Sequence, residues 1–251
     1  MKNKISGKIV ALLLTLIIVA TSGMPLYAKE TGDKANSFRY ENGQSIAKAV
    51  PFSTLSPNAW KKIDGKYYSG DGSVIEGAVA KGIDVSHHQG TVDWKKAKED
   101  GVEFAIIRCG FGMNQTKQDD AQWFNNVKGC EENNIPYGVY LYSYADTVKK
   151  AQSEAEHVLR LIKGHTLAYP VYYDIEEKAV LNKLTAEQLG KIAATFVNKV
   201  KAEGYQTGIY SNKSNFETFL TDSQFSQWNK WVAQYNSAAC TYKGTYQIWQ
   251  A

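Results

Sequence analysis

Short apolar stretches alternate with amphipathic segments along residues 81–251. Apolar stretches of this kind are typical of buried strands, and apolar residues at helical spacing favour helices between them. The predicted strands are 82–86, 103–109, 137–144, 169–176, 207–211, 230–235 and 246–250, and the predicted helices are 92–100, 119–134, 147–163 and 185–203. Strands that alternate with helices form βαβ units, so we expect an α/β protein with a parallel sheet. Its seven strands are one fewer than a closed eight-stranded barrel has.

The first 28 residues have the pattern of a secretory signal peptide. Three lysines and no acid precede the apolar run 9–20, and the small residue Ala28 follows at a plausible cleavage position. The apolar run is shorter than the stretch of about 20 residues that a membrane-spanning helix needs. We therefore expect a protein that is secreted or associated with the cell wall, without stable membrane insertion after cleavage. A retained N-terminal anchor is the alternative.

Residues 29–80 form a second predicted region. A polar tether comes first, and aromatic strands follow, joined by the dipeptides Asp64-Gly65 and Asp71-Gly72, which favour β-hairpins. This short hairpin resembles a single unit of the Trp/Tyr/Gly repeats that bind cell-wall polymers. Because one such unit cannot bury its own face, we expect an arm that packs against the following domain.

The charge balance argues against nucleic acid as a partner. The chain has a formal net charge of +4, and the three lysines of the first 28 residues account for most of it. A nearly neutral body lacks the concentrated basic face that binds a phosphate backbone. The 16 Tyr and 6 Trp residues suit either core packing or the faces of sugar rings.

Cysteine and histidine positions do not indicate a metal centre. Cys109, Cys130 and Cys240 show no close Cys/His spacing. We expect Cys109 and Cys130 to be small buried thiols, and we expect no structural disulfide. His87 and His88 are adjacent, so at most one of them would face a given site on a strand. A hydrogen-bonded loop histidine is favoured over a metal ligand.

Two acids lie at the end of the predicted strand 169–176. Side chains alternate along a strand, so Tyr172, Asp174 and Glu176 share one face. The carboxyl ends of barrel strands form the mouth where catalytic residues collect, and Asp84 ends another strand there. Two adjacent carboxyls in a cleft ionise unequally, which provides the acid and the carboxylate that glycosidic bond cleavage requires. A helix cap is the alternative for Asp84, and a solvated strand end is the alternative for the pair.

Several motifs occur in an order that resembles glycoside hydrolase family 25, the N-acetylmuramidases or lysozymes of bacteria, phages and fungi. The motifs are Gly82-Ile-Asp-Val-Ser-His-His-Gln-Gly90, Phe104-Ala-Ile-Ile-Arg108, Pro136-Tyr-Gly-Val-Tyr140, Tyr173-Asp-Ile-Glu176, Gly208-Ile-Tyr-Ser-Asn212, Trp231-Val-Ala-Gln-Tyr235 and Ile248-Trp-Gln250. The resemblance implies a modified TIM-like β/α barrel that cleaves the β-1,4 bond between N-acetylmuramic acid and N-acetylglucosamine. It implies peptidoglycan glycan strands as the partner, no metal and no cofactor; we assume a monomer.

The resemblance also implies roles for individual residues. Glu176 is expected to donate the proton, with a raised pKa, and Asp174 to position or stabilise the acetamido group or the cationic intermediate, with a normal or depressed pKa. Asp84 is the third acid. Independently of the resemblance, Arg108 shares a strand face with Phe104 and Ile106, so we expect it to be buried beside acids and structural. The expected substrate-binding residues are Tyr142, Tyr144, Tyr210, Gln234, Tyr235, Trp249 and Gln250.

The sequence departs from the family pattern at its end. Family members usually continue past Trp249-Gln250 to a last strand with a further acid, whereas this sequence ends at Ala251. The catalytic domain 81–251 is therefore expected to be C-terminally truncated and to lack its last strand. A catalytically impaired cell-wall-binding protein is the alternative function. A chitinase-like glycosidase is excluded because positions 169 and 172 are tyrosines rather than acids.

Overall fold

The computed structural model of the chain describes residues 40–41, 44–45, 60–69, 71–235 and 239–251. The predicted signal peptide and most of the predicted tether lie outside the described residues. Two short antiparallel pairs precede the main sheet, Tyr40–Glu41 with Gln44–Ser45 and Lys61–Ile63 with Lys66–Tyr68.

One curled parallel sheet with helices on its outside forms the body of the protein. Its strands β1 to β7 are Gly82–Val85, Phe104–Phe111, Tyr137–Tyr142, Val171–Asp174, Thr207–Asn212, Asn229–Ala233 and Ile248–Gln250. The helices α1 to α6 are Trp94–Glu99, Trp123–Glu132, Val148–Ile162, Lys178–Leu181, Ala186–Ala202 and Lys213–Thr218, and the 3-10 turns are His87–Gln89, Thr116–Gln118 and Ser223–Gln227. The strands pair in sequence order and all in parallel, which confirms the predicted seven-stranded α/β sheet of TIM-like architecture.

The helices begin where short polar side chains cap them. Thr185 accepts a hydrogen bond from the backbone N–H of Gln188, and the Gln188 side chain accepts one from the Thr185 N–H, a complete capping box that starts α5. Thr147 caps α3, because its side chain accepts a hydrogen bond from the backbone N–H of Lys150. The predicted helix 119–134 begins only at Trp123, because a 3-10 turn and extended backbone at Asp119 precede it.

Apolar side chains cover both faces of the sheet, as expected for parallel strands. The outer face and the helices form the large core, which includes the thiols of Cys109 and Cys130, buried and free as predicted. The inner face is filled with aromatic rings around Trp231, whose ring centroid lies 4.4 Å from Tyr210 and 5.5 Å from Tyr172. In the described part of the chain, no helix is long and apolar enough to cross a membrane.

The hairpin 61–68 packs against the start of the sheet. The hydroxyl of buried Tyr67 donates to the Val79 carbonyl at 3.0 Å and to the Glu103 carboxylate at 2.6 Å. The same carboxylate accepts from the Lys62 ammonium at 2.5 Å and from the Lys81 backbone N–H at 2.8 Å. Glu103 thus ties the hairpin to the residues that precede β1 and β2.

The two edges of the sheet, β1 and β7, border an open seam. The described residues contain no strand between these edges. The ring of Trp60, just before the hairpin, lies 5.1 Å from the ring of Trp249 on β7. Trp60 thus contacts β7, while Tyr67 and Lys81 bond to Glu103, which directly precedes β2 beside β1.

Gly129 sets the distance between α1 and α2. A Cβ at this position would lie 2.0 Å from Cδ1 of buried Trp94. Gly129→Ala is expected to lower the free energy of unfolding by about 1–3 kcal/mol through overpacking, even though alanine is the better helix former. Denaturant unfolding checks this, with the exposed neighbour Lys128→Ala as the control. A Gly129→Ala protein as stable as the parent would contradict the packing described for these two helices.

Candidate active site

A cavity of about 790 Å³ opens at the carboxyl ends of the strands and runs into the aromatic interior. Three carboxyl groups lie in its wall: Asp84 from β1, Asp174 from the end of β4, and Glu176 two residues later. The structure thus brings together the three acids that the sequence predicted to share one mouth.

Strand alternation along β4 aims the acid pair. Val171, Tyr173 and Ile175 point outward into the large core, whereas Asp174 and Glu176 line the cavity. The regular strand ends at Asp174, two residues earlier than predicted.

Hydrogen bonds from β5 keep the backbone extended for one more residue. The Ile175 N–H donates to the Tyr210 carbonyl at 3.0 Å, and the Ser211 hydroxyl donates to the Ile175 carbonyl at 2.7 Å. Glu176 consequently keeps the face of Asp174 while lying nearer the opening, where it is half-buried.

Asp174 is the more buried member of the pair, with 2% of its surface exposed. Burial raises its pKa well above the usual carboxyl range, the nearby Glu176 carboxylate raises it further, and the Arg108 guanidinium offsets part of the effect. The expectation of a normal or depressed pKa for Asp174 is wrong, because the strand carries this carboxyl deeper than its partner. Asp174 therefore retains a proton at a pH where an ordinary aspartate has lost it.

Arg108 is a buried cation in the cavity wall. Its Nε donates to the Asp120 carboxylate at 2.7 Å, and its guanidinium also contacts Nδ1 of His87. The prediction that Arg108 is buried beside an acid is confirmed. The Arg108 charge also lowers the pKa of Asp174, which was not predicted. The position of Arg108 on the inner face with Phe104 is the sequence feature that could have indicated this effect.

Asp84 lies across the seam from Gln250. Its Oδ1 accepts a hydrogen bond of 2.7 Å from the Gln250 amide, so the side chains of the two edge strands meet at the mouth. Burial raises the pKa of Asp84 to about 6, and the Gln250 hydrogen bond lowers it in part. The alternative role as a helix cap does not occur, because Ser86 caps the turn that follows.

The two histidines lie in that turn rather than on a strand. Nδ1 of His87 is 3.2 Å from the Asp120 carboxylate, whereas His88 lines the cavity. Burial lowers the pKa of His88 to about 4, so it is neutral near pH 7. The described residues contain no group of three His, Cys, Asp or Glu side chains that could hold a metal ion.

Five of the seven predicted substrate-binding residues line the cavity: Tyr142, Tyr210, Tyr235, Trp249 and Gln250. Gln234 does not, because its side-chain amide pairs with Thr241. Tyr144 lies outside the wall, with its ring 5.0 Å from that of Tyr142.

Further aromatic side chains outside the predicted set also line the cavity, among them Tyr140 and Trp60. The alternation of tyrosines along β3 was a signal for Tyr140. Nothing in the local sequence around Trp60 indicates its contact with a strand far along the chain.

The family model of the glycosyl hydrolases family 25 matches residues 83–251. This chain belongs to that family. Among curated relatives, the autolytic lysozyme of Clostridium acetobutylicum is 28% identical to this chain over 155 residues, a match that covers 62% of this chain and 45% of the relative.

Solved structures agree with the assignment. The modular autolysin LytC from Streptococcus pneumoniae, in complex with a synthetic peptidoglycan ligand, matches with 31% identity and a TM-score of 0.65 over 76% of this chain and 47% of that chain. The lysozyme from Streptomyces coelicolor shares the fold at 23% identity, with a TM-score of 0.60 over 69% of this chain and 82% of that chain. This family-25 chain spans less than half the length of the Clostridium and Streptococcus relatives.

The raised pKa of Asp84 predicts a pH-dependent cost to stability. A buried acid whose pKa is about 6 when folded, against about 3.9 unfolded, binds its proton more tightly in the folded state. The contribution of Asp84 to the free energy of unfolding is therefore fully present below the unfolded pKa. It is lost as the pH rises through the folded pKa of about 6. Asp84→Asn keeps an oxygen for Gln250 and is expected to raise the melting temperature at pH 7 by about 2–4 °C.

Thermal unfolding at pH 7 and at pH 4 checks this expectation. The gain is expected to be much smaller at pH 4, where the folded parent already holds the proton. Asp64→Asn, at an exposed turn position, is the control and is expected to change neither value. An equal gain at both pH values would contradict a titrating Asp84.

Proposed function

We propose that this protein is an exported peptidoglycan hydrolase that cleaves the β-1,4 bond between N-acetylmuramic acid and N-acetylglucosamine. The observation that carries the proposal is the pair of carboxyls, Asp174 and Glu176, in the wall of an aromatic-lined cavity. Membership of family 25 and the lysozyme and autolysin relatives support the same class of reaction.

Glu176 is proposed as the proton donor. It lies at the accessible end of the pair, and a glycan strand that enters the cavity excludes water and favours its protonated form. Its proton passes to the glycosidic oxygen, the bond from that oxygen to the anomeric carbon breaks, and water supplies the hydroxyl that completes the new sugar end. The proton of that water returns to Glu176.

Asp174 is proposed to act as a hydrogen-bond donor to the substrate's acetamido group. Burial raises the pKa of this carboxyl and so favours its protonated form, and a protonated acid can donate a hydrogen bond but has no charge with which to stabilise a cation. Of the two roles that the family resemblance implies for this residue, its burial therefore favours positioning of the acetamido group.

Aromatic side chains of the wall are proposed to bind the glycan by stacking on sugar rings. Tyr142, Tyr210, Tyr235 and Trp249 come from successive parts of the sheet and border the same cavity as the acids. Residues 81–251 are proposed as the catalytic domain and residues 1–28 as a signal peptide. The arm that precedes β1 contributes Trp60 to the cavity, so we propose that it serves the catalytic domain rather than acting as an independent wall-binding unit.

The two acids are expected to respond differently to amide substitution. Glu176→Gln is expected to lower kcat/KM by about 10²–10⁴-fold, because an amide has no acidic proton to transfer to the glycosidic oxygen. Asp174→Asn is expected to lose less, because the amide is neutral and still donates a hydrogen bond. Release of reducing ends from purified peptidoglycan measures both rates.

Glu187→Gln, an exposed substitution of the same chemistry on α5, is the control and is expected to act like the parent. Undiminished cleavage by Glu176→Gln would refute the proposed donor. Binding of the parent to peptidoglycan without release of reducing ends would instead favour a cell-wall-binding protein.

The proposed role of the arm is tested through its tryptophan. Trp60→Ala is expected to raise KM for glycan strands by roughly 3–10-fold with little change in kcat, the size expected when one aromatic contact is lost. Tyr68→Ala is the control, because Tyr68 lies on the same hairpin but outside the cavity wall. Equal KM values for the two variants would show that the arm takes no part in glycan binding.

A further inference from the structure

A buried carboxylate lies behind the proposed acid pair, on the outer side of the sheet. Glu154 is in the middle of α3 and is completely shielded from solvent. It borders the large core rather than the cavity, and the reaction proposed above does not use it.

Among the described residues, every donor to Glu154 belongs to the ends of β3 and β4. The Ser143 hydroxyl donates at 2.8 Å and the Tyr173 hydroxyl at 2.5 Å to one carboxylate oxygen, and the Tyr144 backbone N–H donates at 2.9 Å to the other. Ser143 and Tyr144 directly follow β3, whereas Tyr173 is the residue before Asp174 on β4.

A further bond links this network to the backbone of Asp174. The Ser143 N–H donates to the Asp174 carbonyl at 2.9 Å, so the segment held by Glu154 also holds the end of β4. The Tyr173 ring is fixed as well, because it stacks on Phe196 of α5 with centroids 3.9 Å apart. A single carboxylate thus joins two strand ends from outside the sheet.

An ionisable side chain is energetically unfavourable at this buried position. Burial raises the pKa of Glu154 to about 7, and the hydrogen bonds from Tyr173, Tyr144 and Ser143 offset only part of that effect. Apolar side chains of similar volume usually serve stability as well as buried ionic groups do. Buried ionisable groups are therefore expected mainly where they hold the residues of a functional site in place.

We propose that Glu154 is a positioning residue: it fixes the ends of β3 and β4 so that Asp174 and the adjoining Glu176 face the cavity in one arrangement. This inference rests on the proposed hydrolase function. Glu154 acts through the strand ends and does not touch the glycan.

Three variants test the proposal. Glu154→Ala leaves the three donors without their acceptor and is expected to lower kcat at least about tenfold with KM within about twofold, because misplaced reacting groups lose rate before they lose binding. Glu154→Gln is expected to restore most of kcat, because its amide oxygen accepts from Tyr144 and its NH₂ donates to a hydroxyl oxygen. Val158→Ala, also buried on α3, is the control and is expected to lower thermal stability but keep kcat.

Amide hydrogen exchange followed by NMR provides a readout that does not depend on activity. In Glu154→Ala, the amides of Ser143 and Tyr144 are expected to exchange faster, whereas in Val158→Ala they keep their protection relative to the rest of the sheet. Unchanged exchange of these amides, or an unchanged kcat in a folded Glu154→Ala protein, would overturn the proposal.

The experiment separates the two proposals. A parent protein that releases no reducing ends refutes the hydrolase function, while the exchange data still decide whether Glu154 holds the strand ends. A parent that cleaves, together with an equal loss of kcat in Val158→Ala, refutes positioning and leaves the hydrolase function intact.

Discussion

The two-residue alternation along β4 is the constraint on which the site depends. Val171, Tyr173 and Ile175 are buried against the outer helices, and this packing obliges Asp174 and Glu176 to face inward. A shift of the strand by one residue would exchange every side chain between the two faces, burying a carboxyl in the apolar core. The outer packing therefore determines which chemistry the inner face presents.

The titratable groups of the cavity lie against a mainly aromatic interior, which disfavours their charged forms. Trp231 and the tyrosine rings around it occupy the space below Asp84, Asp174 and Arg108. They exclude water, which raises the proton affinity of Asp84 and Asp174 and strengthens the effect of the guanidinium on Asp174. Arg108 is in turn compensated by Asp120. The acids gain unusual proton affinity at a cost in stability that the large outer core offsets.

Periodicity and ordered motifs predicted much of this arrangement. The number, order and direction of the strands followed from alternating apolar and amphipathic segments, and the faces of Asp174 and Arg108 followed from strand alternation. The depth of Asp174 did not follow, because burial depends on how far the strand runs into the curled sheet. Gln234 was wrongly expected to line the cavity, and Trp60 was not expected there. Their partners, Thr241 and Trp249, are determined by loop and interstrand contacts that local sequence patterns do not encode.

The hydrogen bond between Asp84 and Gln250 has a thermodynamic consequence. It joins the two edge strands through side chains at a place where the described residues contain no main-chain pairing between those edges. A bound molecule that takes the place of Gln250 on Oδ1 of Asp84 removes this link between the edges. Ligand binding in the cavity and the distance between β1 and β7 are therefore thermodynamically linked. A ligand that moves these strands apart binds more tightly to conformers in which they are already farther apart.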